Sequence, residues 1–118
     1  MSTSVKRYPG TERMSNMVAY NGMLLTKGIT ARGLPRDIKE QTADVLRQLD
    51  VLLAEAGLSK ENLLQVMIWI SDTRDFDAMN EVYDAWVAQG FQPVRACVES
   101  ALASPDLLIE IQASAALA

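Results

Sequence analysis

Near the carboxyl end of the chain, an arginine interrupts an apolar segment. Residues 92–100 read QPVRACVES, and strand alternation places Arg95 and Cys97 on one face. A second alternating segment at 107–115, LLIEIQASA, contains a single charged residue, Glu110. A guanidinium matches a carboxylate through two hydrogen bonds, and a carboxylate can hold a water or a proton. These residue types fit a site that anchors a small carboxylate beside a reacting water.

The relative position of the two charges depends on strand pairing. If the last two strands pair antiparallel about residues 101–104, Arg95 and Glu110 lie nearly opposite each other on one face. The alternative interpretation is a solvent-facing cross-strand ion pair, which contributes less than about 1 kcal/mol. The bare pattern favours that alternative, because surface charge pairs far outnumber active sites.

Composition excludes several kinds of site. The 118 residues include no histidine and one cysteine, so histidine-based triads, cysteine–histidine pairs and intrachain disulfides are not possible. We expect no metal and no cofactor. The net charge is −4 and the basic residues are scattered, so nucleic-acid binding is not expected. No segment is apolar enough over about 20 residues to span a membrane, and no leader is evident, so we expect a cytoplasmic protein.

Two segments in the first half of the chain have clear element signals. Residues 17–28 contain two β-prone runs around Asn21-Gly22, the strongest short signal for a hairpin. Residues 37–57 have helical periodicity, with Asp37 and Glu40 spaced as a capping box and Gly57 at the end.

The second half continues with a strand, a helix and two strands. The strand at 63–71 is apolar on both faces, which suggests that one face meets helices and the other a partner subunit. The helix at 75–90 is predicted to begin at an Asp75 cap and places Asn80 within its apolar stripe, where the amide needs partners. The order ββαβαββ predicts one α+β domain over residues 1–118, with two helices on one face of a mixed sheet.

Taken together, several motifs resemble a known family. They are Pro93-x-Arg95-x-Cys97-Val98-Glu99, Ile109-Glu110-Ile111, Asp75-Phe76 with Asn80 and Tyr83, and the hairpin NGMLLTKGI. In this order they resemble the reactive intermediate deaminase (Rid) family, also called YjgF or L-PSP, over nearly the whole chain.

The resemblance implies a chorismate-mutase-like fold and a homotrimer whose sheets line a central barrel with three clefts between subunits. It implies hydrolysis of enamine or imine intermediates, such as 2-aminoacrylate and other 2-imino acids, to 2-keto acids and ammonia. Arg95 would bind the substrate carboxylate, the backbone at Cys97 would contact the ligand, and Glu110 would position the attacking water. Asn80 and Gly28 complete the implied site.

Two positions depart from the family pattern. Lys27 replaces a serine and Met14 lies near the position of a tyrosine. The reaction class is therefore better supported than the substrate, and a binding protein that holds small carboxylates without turnover is the second hypothesis. Some family members carry endoribonuclease or translation-inhibitor names. An RNA role ranks last here, because the chain is acidic and lacks histidine and a basic–aromatic stripe.

Overall fold

The computed structural model describes residues 4–118 as one mixed seven-stranded sheet with two helices. The strands are β1 (Lys6–Tyr8), β2 (Met17–Tyr20), β3 (Met23–Thr26), β4 (Ile29–Thr30), β5 (Leu63–Ile70), β6 (Val94–Glu99) and β7 (Ile109–Ala116). The helices are α1 (Ile38–Glu55) and α2 (Phe76–Trp86). The α+β class is confirmed, with two short strands, β1 and β4, that the predicted order ββαβαββ lacks.

Local sequence signals define the hairpin and the first helix as predicted. Asn21 and Gly22 both have positive φ angles, 51° and 81°, which a two-residue type I′ turn requires. At the start of α1, the Glu40 backbone N–H donates to Asp37 Oδ1 at 2.8 Å, and the Asp37 N–H donates back to Glu40 Oε1 at 3.3 Å. Gly57 follows α1 with a φ of 75°, where a residue with a β-carbon would be strained.

The sheet order corrects the predicted pairing of the last two strands. The order is β1-β2-β3-β7-β5-β6, with the short β4 pairing β7. Strand β5 therefore separates β6 from β7, and β6 runs parallel to β5. The reason is the α2 crossover, because a helix between two adjacent strands returns the chain in the same direction. Arg95 consequently pairs with Val66 and not with Glu110.

Both helices pack on one face of the sheet and the core lies between these two layers. Along β5, the side chains of Val66, Ile68 and Ile70 are buried against them. We call the opposite side the open face, because no element of residues 4–118 covers it. It presents Met23, Leu25, Gln65, Met67, Trp69, Val94, Ala96, Val98, Glu110, Gln112 and Ser114. Several are strongly exposed, including Val94 at 70%.

A buried amide that the sequence analysis did not single out links α1 to the end of the chain. Gln41 is fully buried, and its Nε2 donates to the carbonyls of Arg36 and Asp106 at 2.9 Å each. Its Oε1 accepts from the Leu108 N–H, also at 2.9 Å. Gln41 thus satisfies three backbone groups and fixes the segment that leads into β7.

Helix α2 is shorter than the predicted 75–90. It ends at Trp86, and Val87 is already extended. Asp75 occupies the cap position without a side-chain cap hydrogen bond, whereas Asp72 caps the preceding 3₁₀ turn by accepting from the Arg74 N–H. Neither helix of the described chain is long and apolar enough to cross a membrane.

Candidate active site

The Arg95 side chain is held in place by helix α2. Arg95 is half-buried, and its Nη1 donates to Asn80 Oδ1 at 2.7 Å. The guanidinium carbon lies 4.7 Å from the centre of the Tyr83 ring, which is close enough for a cation–π interaction. Within residues 4–118 no carboxylate forms an ion pair with it. The guanidinium is thus oriented while its charge stays available to a ligand.

A shallow groove of about 350 Å³ opens beside the guanidinium. It is lined by Asn80, Tyr83, Asp84, Val87, Gln89, Gln92, Pro93 and Arg95. Polar amides, the Arg95 cation and the Asp84 carboxylate surround a small apolar floor, and this size suits a short ligand more than a bulky one.

Burial raises the pKa values of the two ionisable groups next to Arg95, the Tyr83 hydroxyl and the Cys97 thiol. Desolvation raises the pKa of the Tyr83 hydroxyl, although the charge of Arg95 opposes the rise. Desolvation likewise raises the pKa of the Cys97 thiol, again against the effect of Arg95. At neutral pH both groups are therefore uncharged, and Cys97 does not supply a thiolate nucleophile.

Glu110 is on the open face, where it meets the backbone of Gly28. Glu110 pairs with Trp69 on one side and Thr30 on the other. A β-carbon at Gly28 would lie 2.1 Å from Glu110 Oε2, so any other residue here would displace the carboxylate from this position. The half-buried carboxylate has no hydrogen bond or ion pair with another described residue. It is therefore free to accept a proton or a hydrogen bond from a ligand.

Lys27 and Met14 lie on the same side of the molecule as Gly28. All three line a groove of about 400 Å³, together with Arg7, Ser15, Met17, Val18, Leu25, Thr26 and Gln112. The Lys27 backbone N–H donates to the Asn16 carbonyl at 3.0 Å, whereas its ammonium has no partner in the described chain.

The seven predicted site residues, together with Tyr83, form two separate groups within one chain. The arginine half-site consists of Arg95, Asn80, Tyr83 and Cys97 on the helix side of β6, and the glutamate half-site consists of Glu110, Gly28, Lys27 and Met14. By register, Arg95 is level with Ala113, so Glu110 is three residues, about 10 Å, along β7 and two strand spacings, about 10 Å, across. The expectation that both charges share a face is wrong.

One member of the arginine half-site, Tyr83, is not among the predicted site residues. Tyr83 is buried, yet its ring also supports the guanidinium of Arg95. The available signal was its spacing, because Tyr83 lies three residues after Asn80 and so shares its side of the helix.

Comparisons with known proteins cover almost the whole chain. The family model described as Endoribonuclease L-PSP matches residues 4–117. The RutC family protein YoaB of Escherichia coli is 37% identical over 114 residues, 97% of this chain and 99% of the relative. A YjgF family member from Neisseria meningitidis superimposes with a TM-score of 0.93 at 40% identity, covering 97% of this chain and 95% of that one. A YjgF/YER057c/UK114 family member from Mycobacterium tuberculosis gives 0.85 at 29%, covering 96% and 99%.

Proposed function

The chain belongs to the Rid/YjgF/L-PSP family, and from this premise we propose that it hydrolyses 2-imino acids, or the enamines that tautomerise to them, to 2-keto acids and ammonia. The observation that carries the proposal is the environment of the Arg95 guanidinium. Its guanidinium is oriented by Asn80 and Tyr83 but lacks an acidic partner, which supports the binding of a substrate carboxylate.

The complete site forms between two copies of the chain in a homotrimer. Arg95 and Glu110 face opposite sides of the sheet, so one copy supplies the arginine half-site and its neighbour the glutamate half-site. The apolar open face, with Met23, Leu25 and Val98 more than 40% exposed, supports burial against other copies.

The reaction needs positioning and proton transfer only. The carbon of an iminium is already electrophilic, so Arg95 fixes the carboxylate while Glu110 orients a water toward that carbon. Glu110 accepts a proton as the water adds, and a carbinolamine forms. Glu110 then gives this proton to the amino nitrogen. The carbon–nitrogen bond breaks as the carbinolamine hydroxyl passes its own proton back to Glu110, so ammonia leaves and the 2-keto acid forms.

A binding protein without turnover is the second candidate, and it is favoured by Lys27 and Met14. These residues replace the serine and tyrosine that the family pattern supplies near Gly28. Activity that appears only in a Met14→Tyr, Lys27→Ser variant would assign the natural chain to this class.

The decisive experiment follows imine loss directly. An amino-acid oxidase generates several 2-imino acids in turn, and semicarbazide traps the imine that is not hydrolysed. We expect the natural protein to lower the trapped fraction, and Arg95→Ala to abolish the effect. Arg74→Ala is the matched control, because Arg74 is an exposed arginine paired with Asp72 in the 3₁₀ turn before α2.

Two results would contradict the proposal. Equal trapping with and without the natural protein for every imine tested would exclude deamination of these substrates. Full activity of Arg95→Ala would remove the assigned carboxylate anchor.

A further inference from the structure

A second groove, between α1 and the β3–β4 region, has a chemistry that the proposed deamination does not use. It encloses about 290 Å³ and is lined by Asn16, Lys27, Arg32, Asp44, Arg47, Gln48, Val51, Leu52 and Glu55. Three of these residues are cationic. In the described chain the charged ends of Lys27, Arg32 and Arg47 have neither a hydrogen bond nor an ion pair.

One of the two acidic residues in the lining, Asp44, already has hydrogen-bond and ion-pair partners. Asp44 Oδ2 accepts from the Arg32 backbone N–H at 3.1 Å and from Gln48 Nε2 at 2.8 Å, and Oδ1 lies 3.3 Å from Arg36 Nη1. Arg36 does not line the groove, so its charge offsets that of Asp44 without occupying the groove. Glu55, at the exposed end of α1, is the remaining acid in the lining.

The rest of the lining is apolar or already hydrogen-bonded. Leu52 is buried, and Val51 is 63% exposed and offers an uncovered apolar surface. Gln48 donates both to Asp44 and to the Thr30 carbonyl, at 2.8 and 2.9 Å, which fixes this wall to β4. The groove thus combines three unpaired cations with a short apolar floor on a rigid support.

We propose that this groove is a second binding site, for a small organic anion whose carboxylate or phosphate is held by Arg32 and Arg47 and whose short carbon chain lies on Val51 and Leu52. The volume of about 290 Å³ lies just below the roughly 300–1,000 Å³ typical of small-molecule sites, so the ligand is small. Because Lys27 lines both this groove and the one at Gly28, the anion site borders the proposed catalytic cleft.

Titration of the full-length, ¹⁵N-labelled protein tests the proposal, with inorganic phosphate and butyrate as separate probes. Ionic strength is held constant with sodium chloride, because added salt screens exposed charges. We expect saturable shifts at the Gln48 side-chain amide and the Arg32 backbone amide, which line only this groove, separate from any shifts that butyrate causes at Arg95. The probe that binds more tightly identifies the anionic group.

Two variants and a control separate a defined site from general charge attraction. Arg32→Gln and Arg47→Gln should each weaken binding by about tenfold, the usual effect of losing one charge-assisted hydrogen bond. Lys39→Gln removes a charge from the same helix outside the groove and should change affinity by less than about twofold.

The proposal is overturned if neither probe gives saturable shifts, or if Lys39→Gln weakens binding as much as the groove variants do. The readout is binding and not turnover, so it is independent of whether the chain is a deaminase.

Discussion

At the scale of single residues, Asn80 decides how Arg95 is presented. Its Oδ1 holds one guanidinium nitrogen and leaves the others for a ligand. We expect Asn80→Ala to raise KM about tenfold with little change in kcat, because it removes one charge-assisted hydrogen bond that orients the anchor. Asn80→Asp should raise KM further, because the new carboxylate would pair with Arg95 and compete with substrate.

Steady-state kinetics of the imine reaction measure both variants. Glu81→Ala is the control, since Glu81 is the next residue on α2 and pairs with Lys39 at the surface. A KM in Asn80→Asp equal to that of the natural protein would contradict the assigned role.

Adding a single methyl group at Gly28 should strongly lower kcat. Its φ is not left-handed, so alanine is tolerated by the backbone but its β-carbon would displace the Glu110 carboxylate. We expect Gly28→Ala to lower kcat about a hundredfold, the usual contribution of a general acid–base group, without unfolding the protein.

The second change that tests this contact is Glu110→Asp in the Gly28→Ala background, which shortens the acid and should restore part of kcat. Thermal unfolding checks the fold of each variant. Unchanged kcat in Gly28→Ala would mean that the position of the carboxylate is unimportant.

At the scale of elements, Asp44 attaches the loop before α1 to the helix. Burial raises the pKa of this carboxyl, but hydrogen bonds from the Arg32 N–H and Gln48 and the charge of Arg36 outweigh that effect, so the pKa lies below the ordinary value for an aspartate. The folded state therefore favours the ionised form. Its contribution to stability is present above about pH 4 and is lost as pH falls through the folded pKa.

We expect Asp44→Asn to lower the free energy of unfolding by about 1–2 kcal/mol at pH 7, because a charged hydrogen-bond acceptor is lost. The difference from the natural protein should shrink at pH 3. Urea unfolding at the two pH values measures this. A loss of equal size at both would show that the charge of Asp44 does not contribute.

The sequence predicted the long elements and missed those that depend on tertiary pairing. The capping box at Asp37 and the Asn21-Gly22 turn are local signals, so α1 and the β2–β3 hairpin follow from them directly. Strand β4 has two residues and exists because β7 lies beside it. The predicted β6–β7 pairing is wrong because strands that follow each other in the sequence need not be adjacent in the sheet. The helix before β6 implies a parallel partner, and that partner is β5.

The sequence identified the individual site residues but did not predict how they are arranged in space. The motif around Arg95 and the glutamate at 110 are visible in the sequence, and the close approach at Gly28 is not. Which face each side chain takes depends on register across β5, which alternation within one strand cannot supply.

At the scale of the whole molecule, two variants that are inactive alone should recover activity when they are assembled together. In the proposed trimer, co-assembled Arg95→Ala and Glu110→Gln chains would contain interfaces in which the intact arginine half-site of one chain faces the intact glutamate half-site of the next. In an equal mixture about a quarter of the interfaces have this combination, so we expect about a quarter of natural activity.

The measurement is the imine assay after denaturing and refolding the two variants together. Each variant refolded alone is the control and should stay inactive. A mixture as inactive as its components would place both groups of a working site within one chain.

The placement of Arg95 and Glu110 on opposite sides of the sheet also has a consequence for dilution. If neighbouring copies complete each site, a lone chain can be fully folded and hold no complete site, so specific activity falls as the protein is diluted below its association range. A carboxylate that bridges two half-sites binds only the assembled form and shifts the equilibrium toward it by mass action. Substrate binding would then stabilise the association of subunits, and the protein would be most completely assembled when its substrate is abundant.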